Sequence, residues 1–319
     1  MIDSKLYLVI GGNGFIGSHT VKELCSSGNK VRVFGRDIFK FEKNIGYIEN
    51  VEWFRGDLNN SSEVGSAMKG VTDIIYLASS SVPATSMRDF YFDIESNTIP
   101  LIRLLEILKK HNQVGKFIYM SSGGTVYGNS GKFIPFAETD STEPISSYGL
   151  NKLMSEHYIK LFATEMKTKF YILRPGNVYG ENQDLDRNQG AIGIFLNSLY
   201  YKKAITVYGE GLIIRDFIYV GDVVQGIIKC LNKDEYTNEN VSIFNLGTCS
   251  GVSIMELINK IEYITGNKFN VNIQPSRKFD CLYNVLDISK INRILGWKPA
   301  ITLSEGIKRT WEWIIQGDK

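Results

Sequence analysis

The sequence predicts an α/β protein built on a doubly wound parallel sheet, with a smaller α/β lobe toward the C-terminus. Short apolar runs of the kind expected for strands buried on both faces alternate with helix-length segments over the first half of the chain. A glycine-rich turn directly follows the first apolar run, and after about residue 175 the loops lengthen and the strands shorten. We therefore predict one domain over residues 1–175 and a second over 176–319, with a soft boundary across which the chain can return to the main sheet.

The first predicted strand is LYLVI at residues 6–10, an uninterrupted apolar run. Five further strands follow at intervals long enough to hold a helix, which predicts a parallel sheet with right-handed crossover connections. These strands are KVRVF at 30–34, VEWFRGD at 51–57, DIIYLAS at 73–79, KFIYMSS at 116–122 and FYILR at 170–174.

Two helices of this first part matter for function: one from about residue 90 to residue 111, and one that begins near residue 147. In the second part, IFNLG predicts a strand and SIMELINKIEYITG an amphipathic helix. We expect the second part to close over the carboxyl ends of the parallel strands, where open α/β sheets bind ligands.

Composition excludes several classes of function. The net charge of +2 gives no reason to expect a nucleic acid or an anionic membrane as partner. The four cysteines are scattered and the chain has only three histidines, so we expect neither a metal site nor a disulfide framework, and a reducing, cytoplasmic location. The apolar run at the N-terminus is too short for a signal or membrane segment.

The glycine-rich turn, GGNGFIG, predicts a dinucleotide site. Its glycines lie between the first strand and the first helix, where they let backbone amides at a helix N-terminus approach a pyrophosphate. The predicted cofactor-binding residues in this turn and after the second and third strands are Gly11, Asn13, Gly14, Phe15, Ile16, Gly17, Arg36, Asp57 and Leu58.

The end of the second strand leaves the choice between NAD and NADP open. NAD-binding sheets usually place an acidic residue there to hold the adenine ribose hydroxyls. This chain has Gly35 at that position, followed by Arg36, whose guanidinium suits a 2′-phosphate. Asp37 lies two residues beyond Gly35, within reach of the ribose, and Asp57 after the third strand is placed to accept the adenine amino group.

Tyr148 and Lys152, in SSYGLNK, lie four residues apart on a predicted helix and so share one face. A phenol with a pKa near ~10 is a poor base at neutral pH, but a fixed positive charge beside it favours the phenolate. The two residues are therefore a candidate acid–base pair. An isolated Tyr-x-x-x-Lys pattern is more often a solvated surface pair, so the rest of the chain has to decide.

Nine segments of the chain, in order, resemble the extended short-chain dehydrogenase/reductases, specifically the nucleotide-sugar epimerase branch typified by UDP-glucose 4-epimerase. Each segment alone is a weak or moderate signal, but their order and spacing make the resemblance specific, from the first strand nearly to the C-terminus. The segments are GGNGFIG, RGDL, LASSS, SSGGTVYG, PISSYGLNK, LRPGNVYG, RDFIYVGDV, FNLGTCSG and YNVLDISKINRILGWKP. The resemblance implies a Rossmann-type dinucleotide-binding domain followed by a nucleotide-sugar-binding lobe.

The resemblance also implies that Tyr148 is the acid–base and that Lys152 lowers its pKa while contacting the nicotinamide ribose. The cofactor-binding residues that it adds are Leu77, Ala78, Ser79, Tyr148 and Lys152. The family normally adds a serine or threonine four residues before the tyrosine of TVYG, but this chain has Gly123 there. Ser122 and Thr125 are the candidates to take over its hydrogen bond to the substrate, unless the step proceeds without one. The loop has no Asp–Glu pair of the kind that sugar 4,6-dehydratases carry, so dehydration is disfavoured.

A nucleoside diphosphate site is implied in the C-terminal lobe. Arg215 and Arg277 match family arginines at the diphosphate and ribose, and guanidinium groups suit phosphate oxygens. Asn284 stands where the family often carries either a tyrosine or a small residue lining the hexose pocket, which suggests room for an N-acetylhexosamine. The predicted substrate-binding residues are Asn177, Val207, Arg215, Arg277, Asp280 and Asn284.

The expected function is a 4-epimerase that interconverts a UDP-hexose and its C4 epimer through a transient 4-keto sugar, with NAD as cofactor. Two alternatives remain open: an NADPH-dependent nucleotide-sugar reductase, favoured by Arg36, and a non-catalytic dinucleotide sensor, favoured by Gly35 and Gly123. The helical segments near 90–110 and 148–166 would pair in a homodimer as in many relatives, or pack on the sheet instead.

Overall fold

The structure is a computed structural model that describes residues 5–111, 114–129, 131, 133–185, 189–233, 240–276 and 281–317. The chain forms two compact units, and neither is a single stretch of sequence. The first unit comprises residues up to Ser122, Ser146–Arg174 and Val224–Phe244, and the second comprises Gly123–Ile145, Pro175–Val223 and the residues from Asn245 onward. The predicted boundary at 175/176 falls within one residue of one of these crossings, and the assignment of a function to each unit stays a prediction.

The strands and helices follow the predicted alternation. The strands are β1 (Leu6–Ile10), β2 (Lys30–Gly35), β3 (Val51–Arg55), β4 (Asp73–Tyr76), β5 (Lys116–Met120), β6 (Lys169–Pro175), β7 (Asn177–Tyr179), β8 (Ile205–Tyr208), β9 (Ile214–Tyr219), β10 (Val241–Leu246), β11 (Gly251–Ser253), β12 (Val271–Gln274) and β13 (Tyr283–Asn284). The helices are α1 (Phe15–Ser26), α2 (Ile38–Asn44), α3 (Ser61–Ala67), α4 (Pro83–Ser86), α5 (Phe90–Asp93), α6 (Ile99–His111), α7 (Gly123–Val126), α8 (Ser147–Ala163), α9 (Ala191–Tyr200), α10 (Val220–Leu231), α11 (Ile254–Thr265), α12 (Ser289–Leu295) and α13 (Leu303–Gln316).

The first unit is built on a seven-stranded sheet with the order β10-β6-β5-β4-β1-β2-β3. Every pairing from β6 through to β3 in this order is parallel, which confirms the predicted doubly wound α/β class. The strand order reverses between β1 and β4, and open α/β sheets bind their ligands at such a switch point, beyond the carboxyl ends of the strands. The loops after β1 and β4 are therefore where a ligand is expected.

One hydrophobic cluster holds the helices of the first unit against this sheet. Strand residues such as Leu8, Ile74 and Phe117 pack with α6 and α8, and their side chains are at most 1% exposed. Burying a side chain of this size contributes about 1.5–3 kcal/mol, so α8 is firmly fixed on the sheet. The helix residues of this cluster include Leu101, Leu104, Leu105, Leu108, Ile159 and Ala163.

The helix predicted over 90–111 is interrupted. The chain forms α5, then a π-helical turn over Ile94–Thr98, then α6. The physical reason is Pro100, which has no N–H to donate to the carbonyl of Ser96 four residues earlier. Ser80 Oγ donates to that carbonyl at 3.3 Å instead, and Asn97 Nδ2 donates to the Asp93 carbonyl at 2.9 Å. A π-turn of this kind often marks a functional site.

The second unit contains two smaller sheets. In one, β9 lies between β11 and β13 and also pairs with β7; in the other, β8 pairs with β12. The predicted amphipathic helix is α11, which begins with a capping box of Ser253 and Glu256 and ends at Gly266 in the left-handed region. IFNLG, predicted in the C-terminal part, supplies most of β10, the strand that joins the main sheet beside β6.

Within the described ranges, no helix is both long and apolar enough to cross a membrane. The same part of the chain holds no cluster of three or more histidine, cysteine or acidic side chains that could bind a metal ion.

Candidate active site

The turn after β1 is packed so closely that only glycine fits at two of its positions. Gly11 has a φ of +80°, and a Cβ there would lie 2.8 Å from the backbone nitrogen of Ala78, in the loop after β4. A Cβ on Gly17 would lie 2.2 Å from the Gly11 carbonyl oxygen. Helix α1 therefore begins directly against the end of β1, at the switch point of the sheet.

The backbone at the N-terminus of α1 is suited to binding an anion. Gly14 occupies the N-cap position and has no side chain to cap the helix. The amides of Phe15, Ile16 and Gly17 belong to the first turn, whose N–H groups have no partner within the helix and carry a partial positive charge. Such an arrangement suits a pyrophosphate. Asn13 braces the turn, because its side chain donates to the Asp37 carbonyl at 3.0 Å.

The end of β2 leaves little space for the acidic side chain that NAD-binding sheets usually carry. A Cβ on Gly35 would lie 3.0 Å from Cη2 of Trp53, on the neighbouring strand β3. Asp37 instead caps α2, accepting from the Lys40 backbone nitrogen at 3.0 Å. Arg36 and Asp57 are brought together, with 3.9 Å between Nη1 and Oδ2 at an exposed position.

Tyr148 and Lys152 share one face of α8, as predicted. The Lys152 Nζ lies 5.6 Å from the centroid of the Tyr148 ring and donates to the Met120 carbonyl at 2.8 Å, at the end of β5. Both residues line a small cavity of about 10 Å³ together with Ala78 and Ser79, from the loop after β4. Ala78 therefore connects the two features: it lines the cavity with Tyr148 and Lys152, and its backbone lies against Gly11 in the turn after β1.

The pKa values of this pair differ from the expectation. Burial raises the pKa of Tyr148 to about 12, with a hydrogen bond to Ser79 opposing and the charge of Asp93 reinforcing the rise. Burial also lowers the pKa of Lys152 to about 8, against the charges of Glu156 and Asp93. Lys152 is not among the groups that shift the pKa of Tyr148 in the protein alone, and its ammonium donates to the Met120 carbonyl, so the lowering of the tyrosine pKa by the lysine stays a prediction.

A buried ion pair anchors α8 behind the acid–base pair. Glu156 is fully buried and Arg174 is 3% exposed, with 2.6 Å between Glu156 Oε2 and Arg174 Nη2. Arg174 Nε and Ser121 Oγ both donate to Glu156 Oε1. Sequence reasoning missed this pair, although Glu156 follows Lys152 by one helical turn and Arg174 is the next-to-last residue of the buried strand β6.

A second missed group lines the same cavity. Asp93 and Asn97, in and beside the π-turn, line the same cavity as Tyr148 and Lys152. The signal that could have found them is Pro100, because a proline inside a helical pattern predicts a break near these residues.

The two candidate hydroxyls near Gly123 belong to different units. Ser122 ends the first stretch of the first unit, whereas Thr125 lies on α7 in the second unit, and both are half-buried. The carbonyl of Gly123 accepts from Asn284 Nδ2 at 3.0 Å within the second unit. Ser122 and Thr125 both stay candidates.

Three predicted substrate-binding residues meet around β9. Arg215 on β9 pairs in register with Asn284 on β13, and Asn177 on β7 donates to the Asp216 carbonyl at 3.3 Å. Oδ1 of Asn284 is buried and has no hydrogen-bond partner among the residues that the structure describes. Val207 lies elsewhere, on β8, with its side chain 1% exposed.

The remaining two predicted substrate-binding residues, Arg277 and Asp280, lie outside the described residues.

Comparison with known proteins gives consistent results. The family model described as the NAD-dependent epimerase/dehydratase family matches residues 7–247. The chain is 34% identical over 315 residues to a Methanocaldococcus jannaschii protein provisionally named UDP-glucose 4-epimerase, covering 98% of this chain and 100% of that one. It is 31% identical to an Escherichia coli dTDP-4-dehydro-6-deoxyglucose reductase, covering 95% of each.

Among solved structures, a Thermotoga maritima UDP-glucose 4-epimerase with UDP-glucose is similar with a TM-score of 0.90 and 32% identity, covering 98% of this chain and 100% of that one.

Proposed function

Because the chain belongs to the NAD-dependent epimerase/dehydratase family, we propose that it is a nucleotide-sugar 4-epimerase that interconverts a UDP-hexose and its C4 epimer. The observation that carries this proposal is the acid–base pair Tyr148–Lys152 in one cavity with Ala78, beside the switch point of the sheet. A relative with the same architecture binds UDP-glucose, which supports a UDP-linked sugar.

The residues after β1 and β4 fit a nicotinamide dinucleotide. A Cβ on Gly11 or Gly17 would fill the space in the turn after β1. The first-turn amides of α1 are placed for a pyrophosphate. NAD supplies reversible hydride acceptance, and its oxidised ring brings a positive charge. We propose that the first unit holds NAD through Gly11–Gly17 and Leu77–Ser79, with Arg36, Asp57 and Leu58 at the adenosine end.

Tyr148 is the proposed proton acceptor and donor for the sugar hydroxyl, in a reaction where it takes the proton on oxidation and returns it on reduction. Its pKa of about 12 in the protein alone is too high for a base at neutral pH, so further positive charge is needed beside it, which the oxidised nicotinamide ring would supply. Lys152, whose pKa is about 8, is mostly protonated at pH 7 and would add its own charge, while it donates to the Met120 carbonyl. Ser122 or Thr125 is proposed to hydrogen-bond the same substrate oxygen.

The second unit is the proposed nucleotide-sugar lobe. Arg215, Asn177 and Asn284 lie on neighbouring strands, and an arginine beside amide groups suits a diphosphate and a sugar. Oδ1 of Asn284 has no partner within the described part of the chain, which supports a role as acceptor for a ligand N–H or hydroxyl. Arg277, Asp280 and the segment of Val207 are proposed from the family resemblance alone.

The test is to incubate the purified protein with UDP-glucose, without added cofactor, and to follow the sugar by proton NMR while recording absorbance at the NADH band. We expect UDP-galactose to appear with no net change in absorbance. Stoichiometric consumption of added NADPH with a 4-keto sugar would instead identify a reductase, the second candidate, which Arg36 and the E. coli relative favour. Dinucleotide binding without turnover of any nucleotide sugar would identify a sensor.

Asn284 leads to a prediction about sugar choice. Because asparagine is smaller than tyrosine and its Oδ1 has no partner among the described residues, we expect UDP-N-acetylglucosamine to be used with a kcat/KM within about tenfold of that for UDP-glucose. An Asn284→Tyr variant should lose the N-acetyl substrate at least about tenfold more than the plain hexose, since one steric conflict in a pocket is worth about 1–3 kcal/mol. A strong preference of the unaltered protein for UDP-glucose would contradict the prediction.

A homodimer and a cytoplasmic location are also proposed. Apolar side chains on α5 and α8 are exposed, at 56% for Phe90, 75% for Tyr91, 56% for Leu150 and 62% for Leu161, as expected for a surface that a second copy covers. All four cysteines are free thiols, which supports a reducing compartment. Sedimentation velocity would show a single species of about 36 kDa if the dimer proposal is wrong.

A further inference from the structure

Asp93 is a buried carboxylate whose place in the structure the mechanism above does not explain. It ends α5, directly before the π-turn, and is 1% exposed. Its Oδ1 accepts from Ser81 Oγ and from Asn97 Nδ2, and its Oδ2 accepts from Ser147 Oγ and Asn151 Nδ2. All four donors are uncharged side chains. Burying an ionised group costs free energy unless the group is fully hydrogen-bonded. Four hydrogen-bond donors around one buried carboxylate therefore call for an explanation.

The donors on Oδ2 flank the proposed acid–base residue in sequence. Ser147 and Asn151 lie on either side of Tyr148 on α8, at 2.6 and 2.7 Å from the Asp93 carboxylate. The backbone nitrogen of Tyr148 donates to Ser86 Oγ at 3.1 Å. The beginning of α8 is therefore tied at three successive points to the segment that follows β4. A negative charge near a helix N-terminus is also favourable, because the helix dipole is positive there.

We propose that Asp93 is a positioning residue for the acid–base pair: it fixes the first turn of α8 against the loop after β4, and thereby sets where Tyr148 and Lys152 stand in their shared cavity. The role given to Tyr148 rests on the proposed function, whereas the hydrogen bonds around Asp93 do not depend on it. The π-turn has a role in this arrangement as well, because it orients Asn97 toward the carboxylate and the backbone carbonyl of Asp93.

The charge of Asp93 affects the pKa values of the acid–base pair, which makes the proposal measurable. It raises the pKa of Lys152 and of Tyr148, because a carboxylate favours the protonated form of both. Neutralising Asp93 should therefore lower both values, whereas loss of packing that admits water would raise the pKa of Lys152 toward its ordinary value of 10.5. The titratable and charged groups around the pair, from all elements packed on it, are Asp93, Lys152, Glu156, Arg174, Tyr76 and Tyr119.

The deciding experiment compares Asp93→Asn with Asp89→Asn, a matched change of an exposed carboxylate that caps α5. Proteins labelled with ¹³C at lysine Cε are titrated by NMR between pH 6 and 10, with the Lys152 signal identified by its loss in Lys152→Met. We expect Asp93→Asn to lower the pKa of Lys152 by about one unit and Asp89→Asn to leave it unchanged. An unchanged pKa of Lys152 together with unchanged hydrogen exchange of the amides of 147–151 in folded Asp93→Asn protein overturns the proposal.

Two further readouts separate positioning from a general role in folding. Hydrogen exchange of the amides of 147–151 should accelerate in Asp93→Asn, while exchange in β1 and β5 stays protected. In turnover, kcat should fall about 10- to 100-fold with KM changed less than about threefold, since displacing a reacting group by about 1 Å costs on that order. These NMR and exchange results do not depend on turnover, so a protein that fails to epimerise would refute the proposed function alone.

If Asp93→Asn does not fold, Asn151→Ala takes its place. It removes one hydrogen bond to Asp93 but keeps the charge. We expect a lower kcat at similar KM, faster exchange of 147–151 and an unchanged pKa of Lys152. Wild-type kcat and wild-type exchange rates in this variant would overturn the proposal.

Discussion

Tyr148→Phe is expected to lower kcat for epimerisation by about 100- to 10,000-fold, the range over which a positioned acid–base group contributes. The change removes only the phenolic oxygen, and the cavity formed by Ala78, Ser79 and Lys152 keeps its shape. Binding of NADH should weaken far less than turnover, because Tyr148 is only one of the predicted cofactor-binding residues and the amides proposed to hold the pyrophosphate lie on α1. Initial rates by NMR and a fluorescence titration with NADH measure the two quantities separately.

The matched control is Tyr47→Phe, which makes the same chemical change at a residue that is 96% exposed in the same unit. It should keep its turnover within about twofold. A Tyr148→Phe protein with a kcat near that of the control would show that another group moves the proton, and Lys152 would be the first to examine.

The second large effect concerns stability. Glu156→Gln is expected to lower the free energy of unfolding by about 3–5 kcal/mol, because it leaves the buried guanidinium of Arg174 without its counter-charge. The cost is desolvation: the pair is at most 3% exposed, and water cannot replace the lost carboxylate. Urea unfolding followed by circular dichroism measures the change from the midpoint and the slope.

The double variant Glu156→Leu with Arg174→Met tests the physical reason. Replacing both charges by apolar groups of similar size is often nearly neutral, so this variant should recover most of the lost stability. If it is as unstable as Glu156→Gln, the pair matters for its shape rather than for its charge. If Glu156→Gln itself changes the unfolding free energy by less than about 1 kcal/mol, the explanation by an unpaired charge is wrong.

Much of the first unit could be predicted because its signals are local. Apolar runs such as LYLVI predict strands that are buried on both faces, and the glycines that follow this run predict a tight turn in which a Cβ does not fit. Tyr148 and Lys152 share a face by helical periodicity alone.

What could not be predicted depends on residues that are far apart in sequence. Nothing near Gly35 shows that an acidic side chain would meet the ring of Trp53; that conflict follows from the register of β2 and β3. Glu156 looks like a polar helix residue until β6 brings Arg174 against it. Pro100 did carry a local signal for the break in the helix, but the proton donors that gather around Asp93 come from three separate segments.

The order in which the main sheet is completed has a consequence for synthesis of the protein on the ribosome. The strand β6 ends at Pro175, yet its neighbour β10 ends only at Leu246, roughly 70 residues later. At about 5–20 residues per second, the nascent chain spends several seconds with the backbone of β6 exposed as an open edge. An unpaired edge of this kind invites pairing with other chains, so this interval is when the protein most needs a chaperone.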